Sequence, residues 1–510
     1  MVNKLRLLYM AVANVLQRAA WSLPLVLTAC AVGPNFKAPA APTATRYAPQ
    51  DLPAETAMVH DVDGAAQHFD SKKDIAADWW KVFQSPKLNQ LIERSLSQNP
   101  DIASAQSALK QAQEMVAAQQ GFFYPTVTAS YIPSRQQIAG NMNGNAPGIQ
   151  ANGTYIGPNP PGANPFIYTF HTAQLTVGYT PDVFGSNQRQ VEALGAQADQ
   201  QRYQLAAARI TLVSNVVAAA LQEATLRAQL AAADAMVAEN QRMLAIVRQQ
   251  QVLGYVMRMD VAGQEAALAA AQQNLPPLHK ALEQTRDLIR VLAGNTPDQD
   301  VNETFLLDDF HLPQTLPMSL PAQLVRHRPD VLAALAQLQA ASANVGVAVA
   351  ARLPQFSIEG AVGGEASVFN QMFQAGGPFW YLLGNVTQPI FEGNTLLHRE
   401  RAADQALVQA AAQYRSTVLA ALQNVADTLH ALHADADGLV AAVNAEQAAK
   451  VSLDITRQQM NTGYVSQLTL LAAEQAHQQA EENLIQARSL RLGDTALLYQ
   501  ALGGGWWNVR

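Results

Sequence analysis

From Val418 to Val443 the apolar residues fall at alternating steps of four and three: Val418, Leu422, Val425, Leu429, Leu432, Ala436, Leu439 and Val443. A period sustained near 3.5 residues predicts a long helix, about 395–461, supercoiled left-handedly against its neighbours. A second long helix is expected from Asn187 to about Gln251, a stretch without proline and with Gly195 as its single glycine. At ~1.5 Å per residue it would run roughly 100 Å. Such stripes read as packing surfaces, not as chemistry. Elsewhere the period drops to two. Val127, Ala129 and Tyr131 alternate with Thr126, Thr128 and Ser130, and Leu175, Val177 and Tyr179 alternate with polar or small partners. That alternation marks strands with one apolar and one polar face. Phe356 and Ile358 against Ser357 and Glu359 indicate a third strand, whereas a fourth, around Trp380–Phe391, alternates poorly. The stretch 141–165 is rich in Gly, Asn and Pro and is expected to be irregular. Aromatic residues gather near the strands, as in the girdles of outer-membrane barrels and in the cores of other β domains.

The same order of elements occurs twice. NPDIASAQSALKQAQEMVAAQQGFFYPTVTASY from Asn99 matches RPDVLAALAQLQAASANVGVAVAARLPQFSIEG from Arg328. The interval from Pro100-Asp101 to Pro125 equals that from Pro329-Asp330 to Pro354, an offset of 229. GYVMRMDVAGQEAAL from Gly254 matches GYVSQLTLLAAEQAH from Gly463 at an offset of 209, and Gly294 and Gly503 close the copies at that offset. The difference of 20 falls between the two strands of each copy, where copy one has the longer loop. Each copy reads as helix, strand, loop, strand, very long helix, turn and helix, a duplicated unit.

Four strands per chain cannot close a barrel, and an open sheet edge is not tolerated in lipid. Several chains must therefore share one barrel. Two would supply about eight strands, whose interior fills with side chains; three would supply about twelve, which leaves a lumen. Cyclic symmetry makes such closure natural, so a homotrimer is expected.

Composition narrows the class further. Alanine and glutamine are abundant, aromatics make up 7% and charged residues 14%, a mix that suits long helices with small contact residues. The net charge is −7, and loss of Lys4, Arg6 and Arg18 with a leader would bring it to −10. An acidic chain disfavours nucleic acid, whose affinity comes from phosphate neutralisation by Lys and Arg. Residues 1–29 look like an export signal: a basic start, apolar AAWSLPLVLTA, then small residues. Met10 would serve as an alternative start with a shorter basic region. The apolar run is too short to span a bilayer, and no other stretch of about eighteen apolar residues is evident. Cys30 is the only cysteine, so no intrachain disulfide forms. A nucleophile, a metal ligand, a buried filler and a modified thiol are the roles open to it. Leu27-Thr28-Ala29-Cys30 resembles the bacterial lipobox, in which the thiol is acylated and the signal is cut before the cysteine. Several acyl chains, at ~0.8 kcal/mol per buried CH₂, hold far better than one. Ala31 follows, and the lipoproteins this resembles stay at the inner membrane only with Asp there, so delivery to the outer membrane is implied.

Taken together, CAVGPNFKAP after the lipobox, WWKVFQSPKLNQLIERSLSQNPDI (79–102), YTPDVFGSNQR (179–189), RHRPDV (326–331), QPIFEGN (388–394) and the terminal ALGGGW (501–506) carry a family resemblance. The chain resembles TolC-like outer membrane efflux proteins, in the NodT branch of lipoproteins that serve resistance-nodulation-division pumps. The resemblance runs from Cys30 to the end. It implies a mainly α fold with a small β part, in which the duplicated helix-strand-strand-long helix-helix unit forms a homotrimer. A 12-stranded outer-membrane β-barrel would stand on a long α-helical periplasmic barrel. The expected organisation is a lipoprotein signal peptide at 1–29 and an extended segment at 30–78. Repeat 1 follows at 79–294, with strands about 125–137 and 170–182 and a long helix about 187–251. A linker or equatorial segment occupies 295–316. Repeat 2 spans 317–503, with strands about 354–364 and 380–391 and a long helix about 395–461, and a tail ends the chain at 504–510. The implied function is that of a passive exit duct. Its partners would be a periplasmic adaptor, an inner-membrane pump and outer-membrane lipids, with no cofactor and no enzymatic activity.

Within that resemblance, LGYVMRMD (253–260) and TGYVSQLT (462–469) would form the periplasmic tip. Gly254 and Gly463 allow the reversals, and Tyr255 and Tyr464 would pack against the adaptor, across the aperture or simply within their own turns. Acidic rings narrow and select in similar ducts. Asp260 stands where one is expected in copy one, but Thr469 and Ala472 replace the acids of copy two, so a double aspartate gate does not carry over. Arg258 would close an ion pair there or remain solvated. His430 and His433, with Asp435 and Asp437, suggest a metal site only weakly, because a site needs three or four converging ligands. Ser107-Ala-Leu-Lys110 fits the S-x-x-K of acyl-transfer enzymes without its companion motifs. No G-x-x-x-x-G-K-[ST] occurs, so energy must come from a partner. Two other readings stay open: a pore-less periplasmic coiled-coil lipoprotein scaffold, and a TolC-like duct serving an ABC exporter or type I secretion.

Overall fold

The computed structural model describes residues 31–50, 52–138 and 166–508. The expected leader, Cys30 and the loop 141–165 lie outside the described residues. In chain order the main elements are β1 (His68–Asp70), α1 (Pro86–Gln98), α2 (Pro100–Gln120), β2 (Thr126–Ile138), β3 (Phe166–Tyr179), α3 (Ser186–Val252) and α4 (Arg258–Leu292). There follow β4 (Thr315–Pro317), α5 (Pro321–His327), α6 (Pro329–Ala350), β5 (Gln355–Ala366), β6 (Pro378–Thr387), α7 (Thr395–Asn461) and α8 (Gln467–Ala501). Both copies give a helix of 67 residues followed by one of 35.

The chain divides into two compact units. One comprises the described chain up to Lys37 with Ala112–Ala198 and Gln337–Ala411, and the other Ala38–Gln111, Asp199–Ala336 and Ala412–Arg510. The first holds a four-stranded antiparallel sheet in the order β2-β3-β5-β6. Where β3 hands over to α3, Asp182 accepts hydrogen bonds from the backbone N–H groups of Asn187 (3.0 Å) and Gln188 (2.7 Å). Its carboxylate thereby satisfies two of the orphan donors at the helix start.

The second unit is helical, with β1 and β4 paired in parallel. The stripe on α7 is buried as its period requires: Val418, Val425, Leu429, Leu432, Ala436, Leu439 and Val443 are all inside. Leu422 is the exception. It is half-buried, and its neighbour Ala421 takes the innermost position, since a methyl group lets the facing helix approach more closely. α4 continues through Pro276-Pro277 on its exposed face, although each ring removes a backbone donor. The WWKVF stretch packs as a core: Trp79 stacks on Tyr499 at 5.3 Å, and Phe83 is fully buried against Phe310. RHRPDV and ALGGGW meet in this unit. Arg328 donates twice to Asp330 (3.0 and 2.6 Å) and once to the Ala501 carbonyl at the end of α8 (2.9 Å). Trp506 Nε1 donates to His327 O at 2.7 Å, and His327 stacks on Trp507.

One sequence expectation needs correction. α3 and α6 each contain an 18-residue window apolar enough to cross a membrane by length and composition, with mean hydropathies of 1.5 and 1.4. Alanine and valine dispersed along these helices raise the average without an unbroken apolar run. Half of the α3 window and 44% of the α6 window are buried within the protein.

Candidate functional site

The register of the sheet sorts its side chains into two unlike faces. Val127, Val177, Gly360 and Leu382 form one rank across the four strands, and Ala129, Leu175, Val362 and Trp380 form the next. Because side chains alternate along each strand, this face is apolar across both ranks, while the same alternation places Arg135, Gln137, Thr169 and His171 on it further along β2 and β3. It is also exposed: Trp380 is 79%, Leu382 70% and Val127 62% accessible. On the reverse face Thr128, Thr176, Ala361 and Tyr381 share a rank, followed by Ser130, Gln174, Gly363 and Phe379. There Tyr381 donates to Glu359 Oε1 at 2.6 Å, and Gln174 donates to Thr176 at 3.2 Å. The poor alternation of the fourth strand now has a cause. Phe379, Tyr381 and Leu383 lie on the same face as Thr128, Thr176 and Glu359, so both sides of β6 read as apolar. β2 and β6 form the two edges, with no further strand paired to either among the described residues. Exposed aromatics stand where β2 starts and after β6 ends, namely Phe122, Phe123, Tyr124 and Phe391. A further group lies at the other end of β5, with Tyr131, His171 and Phe369 in mutual contact.

The helical turns form a second feature, in the other unit. Gly254 and Gly463 both have φ +79, in the left-handed region that glycine enters freely. In each turn the following tyrosine N–H closes a 2.9 Å bond to a carbonyl five residues back, Tyr255 to Gln250 and Tyr464 to Gln459. This is the Schellman closure of a helix end. Both rings point outward, with Tyr255 79% and Tyr464 84% exposed, and no ring contact joins them among the described residues.

The two following helices start differently. Asp260 Oδ2 accepts from the Met257 N–H at 2.8 Å, so the carboxylate is engaged in its own helix start. At the matching place in copy two, Ser466 Oγ accepts from the Thr469 N–H at 3.3 Å. The side-chain acceptor stands at the third helical position in copy one and at the residue before the helix in copy two, and the two satisfy different backbone donors, the Met257 and Thr469 N–H groups. Arg258 is exposed and pairs with no carboxylate among the described residues; its ion pair with Asp260 is not formed.

Sequence reasoning missed a polar layer linking α3, α4, α7 and α8. Gln264 Nε2 donates to Asn240 Oδ1 (2.9 Å) and Gln467 Nε2 to Gln264 Oε1 (3.2 Å). Arg457 lies 3.3 Å from Glu239 and 3.6 Å from Glu474. Glu474 is only 3% exposed; burial raises its pKa, and the Arg457 guanidinium opposes that rise. The available signal was a glutamine and a glutamate interrupting otherwise small-residue helix faces.

The four candidate metal ligands on α7 do not converge. His433 packs its ring on Phe69 at 5.4 Å, and burial lowers its pKa. Asp435 instead has the carboxyl of Asp494 of α8 as its neighbour, and burial and then that carboxyl push its pKa up to about 7. No group of three or more His, Cys, Asp or Glu side chains suited to a metal occurs among the described residues.

Comparison with known proteins adds to this geometry. The family model for outer membrane efflux protein matches residues 91–295 and 320–504. Pyoverdine export outer membrane protein OpmQ of Pseudomonas putida is 28% identical over 432 residues, covering 84% of this chain and 88% of the relative. Antibiotic efflux pump outer membrane protein ArpC of Pseudomonas putida is 27% identical over 490 residues, 94% of each chain. The solved outer-membrane channel OprN superposes with a TM-score of 0.80 at 25% identity, covering 94% of this chain and all of that one.

Proposed function

The chain belongs to the outer membrane efflux protein family, and from that premise we propose that it is the outer-membrane exit duct of a tripartite efflux system. Three copies pair β2 of one protomer with β6 of the next and close a barrel of about twelve strands. The apolar face meets lipid, and the polar face with Glu359 and Tyr381 lines the lumen. Helices of about 100 Å, at ~1.5 Å per residue, carry the duct through the periplasm. A periplasmic adaptor meets the Gly254–Asp260 and Gly463–Thr469 turns, and an inner-membrane pump of the resistance-nodulation-division class supplies the energy. Cys30 carries the lipid.

The observation that supports this reading best is the four-stranded sheet with one exposed apolar face and two open edges. In water such a face would aggregate; in lipid alone the open edges would strand unpaired backbone groups, each costing several kcal/mol. Only shared closure within a membrane satisfies both. The turns support it in turn: Tyr255 and Tyr464 offer exposed rings beside rigid glycine reversals, which suits a partner surface. Asp260 and Arg258 at the start of α4 are the proposed gate groups, with Asp260 already serving its helix. The duct is passive, and which compounds it passes is set mainly by the pump.

Purified protein in a planar bilayer is expected to give conductance steps and, by light scattering, the mass of three chains. A silent monomeric protein would refute the duct and favour the pore-less scaffold.

A further inference from the structure

The segment after Cys30 lies in a built slot of the sheet-bearing unit. Val32 N–H donates to Phe184 O at 3.1 Å. Arg189, which is 5% exposed, reaches back to the same segment. Its Nε donates to Val32 O (3.0 Å), and its Nη2 donates to Asn35 Oδ1 (2.8 Å) and Gly33 O (3.4 Å). Its Nη1 is held by Glu192 at 2.7 Å. One guanidinium thus reads Val32, Gly33 and Asn35 of AVGPN, using the planar fork that lysine lacks.

The steric fit is equally specific. Gly33 has φ +91, and a Cβ there would stand 2.4 Å from Gly346 Cα. A Cβ on Gly346 would stand 2.9 Å from Val32 O, and one on Gly185 (φ +73) 2.7 Å from Ala31 Cα. Three glycines from distant parts of the sequence let backbone lie directly on backbone.

The location gives the slot its meaning. Its walls are the turn Pro181–Gly185 and the first turn of α3, with α6 behind, where β3 ends and β5 begins. Phe184 touches Phe356 at 6.3 Å, and this end of the sheet carries the exposed Phe122, Phe123, Tyr124 and Phe391. Rings of this kind sit at the membrane–water boundary of barrels. We propose that the slot is a positioning site for the lipid-bearing N-terminus. It grips Ala31–Asn35 so that acyl chains on residue 30 enter the membrane at a fixed point beside the apolar face of the sheet. A loose tether would leave the lipid anywhere within reach of the segment; the clamp raises its effective concentration at the end of the two central strands, beside the face that must enter lipid. This rests on the reading of the chain as a lipidated outer-membrane channel.

The test uses full-length protein expressed with its signal, as wild type, Gly33→Ala and Gly121→Ala. The Gly121 substitution is the control, because a Cβ there meets nothing within 4 Å. Three readouts are taken: metabolic palmitate label, hydrogen exchange of residues 31–36, and the oligomer band of unboiled samples. In wild type and control, residues 31–36 should exchange at least tenfold more slowly than 37–46. Gly33→Ala should lose that protection, keep the label, and assemble at least fivefold less. Unprotected 31–36 in wild type overturns the slot. Normal assembly of Gly33→Ala with its slot emptied overturns the positioning role. A protected slot in an unlabelled wild type instead overturns the lipidated reading, and the positioning of a lipid with it.

Discussion

Leu382 and Tyr381 are adjacent in sequence and lie on opposite faces of β6, which makes them a sharp test of the lipid-facing assignment. Leu382 stands opposite Gly360 in the apolar rank, and its side chain is 70% exposed in the single chain. Tyr381 is bonded to Glu359 Oε1 at 2.6 Å on the other face. Lysine on the lipid face of a barrel costs about 2–4 kcal/mol near the bilayer midplane and about 0–1 near the interfaces. Leu382 lies midway along β6, so Leu382→Lys should cost about 2–4 kcal/mol per chain. That is a roughly 30- to 700-fold loss in the folded-to-unfolded ratio. Tyr381→Lys exchanges a hydrogen bond for a solvated ion pair with Glu359, worth about 0–1 kcal/mol, and should be nearly neutral. Urea titration in liposomes, followed by tryptophan fluorescence and by the mobility of unboiled samples, gives both midpoints. A one-residue slip in register would exchange the two faces. If Tyr381→Lys destabilises as much as Leu382→Lys or more, the face assignment is wrong and the barrel built on it falls.

The helical turns and the half-buried carboxyl pair yield the remaining predictions. Gly254→Ala and Gly463→Ala should each cost about 1–2 kcal/mol through the left-handed backbone, whereas Gly438→Ala inside α7 should gain up to about 1 kcal/mol; thermal melting of the three variants checks the contrast. Asp260→Ala should fray the start of α4, and Asp260→Asn should preserve the cap while removing the charge. Ion selectivity altered in both variants supports a gate, and selectivity altered in neither removes Asp260 from it. Asp435 has a folded pKa of about 7, above its ordinary value of 3.8, because of burial and then the neighbouring Asp494 carboxyl. The folded state therefore holds a proton that the unfolded chain has lost, and stability should fall as pH rises from about 4 to about 7. Melting points across that window should drop in wild type and flatten in Asp435→Asn; an equal slope in both would show that another group is responsible.

Much of this chain is legible because its signals are local. The 3.5-residue stripe of α7 needs only the sequence between Val418 and Val443, since a helix brings positions three and four apart to one side. The same holds for Val127, Ala129 and Tyr131 on β2, where successive side chains alternate between faces. A duplicated order of elements is likewise visible by simple comparison of Pro100-Asp101 with Pro329-Asp330.

What the tertiary structure alone decided concerns contacts between residues far apart in the chain. β3 joins the strands of copy one to those of copy two, and only that register lines Leu175 up with Val362 and makes the apolar face continuous. Phe379, Tyr381 and Leu383 obscured the pattern of β6 because pairing, not periodicity, assigns their face. Asp260 looked like a gate from its position in the repeat, while its oxygen was found on the Met257 N–H, a choice that depends on backbone direction at the turn. Arg189 reads Val32, Gly33 and Asn35 across more than 150 residues of chain, and Gly33 meets Gly346 across more than 300. Periodicity reports which side of its own element a residue occupies. It carries no information about what stands on the other side, and that is where the open edges, the polar layer and the N-terminal slot are made.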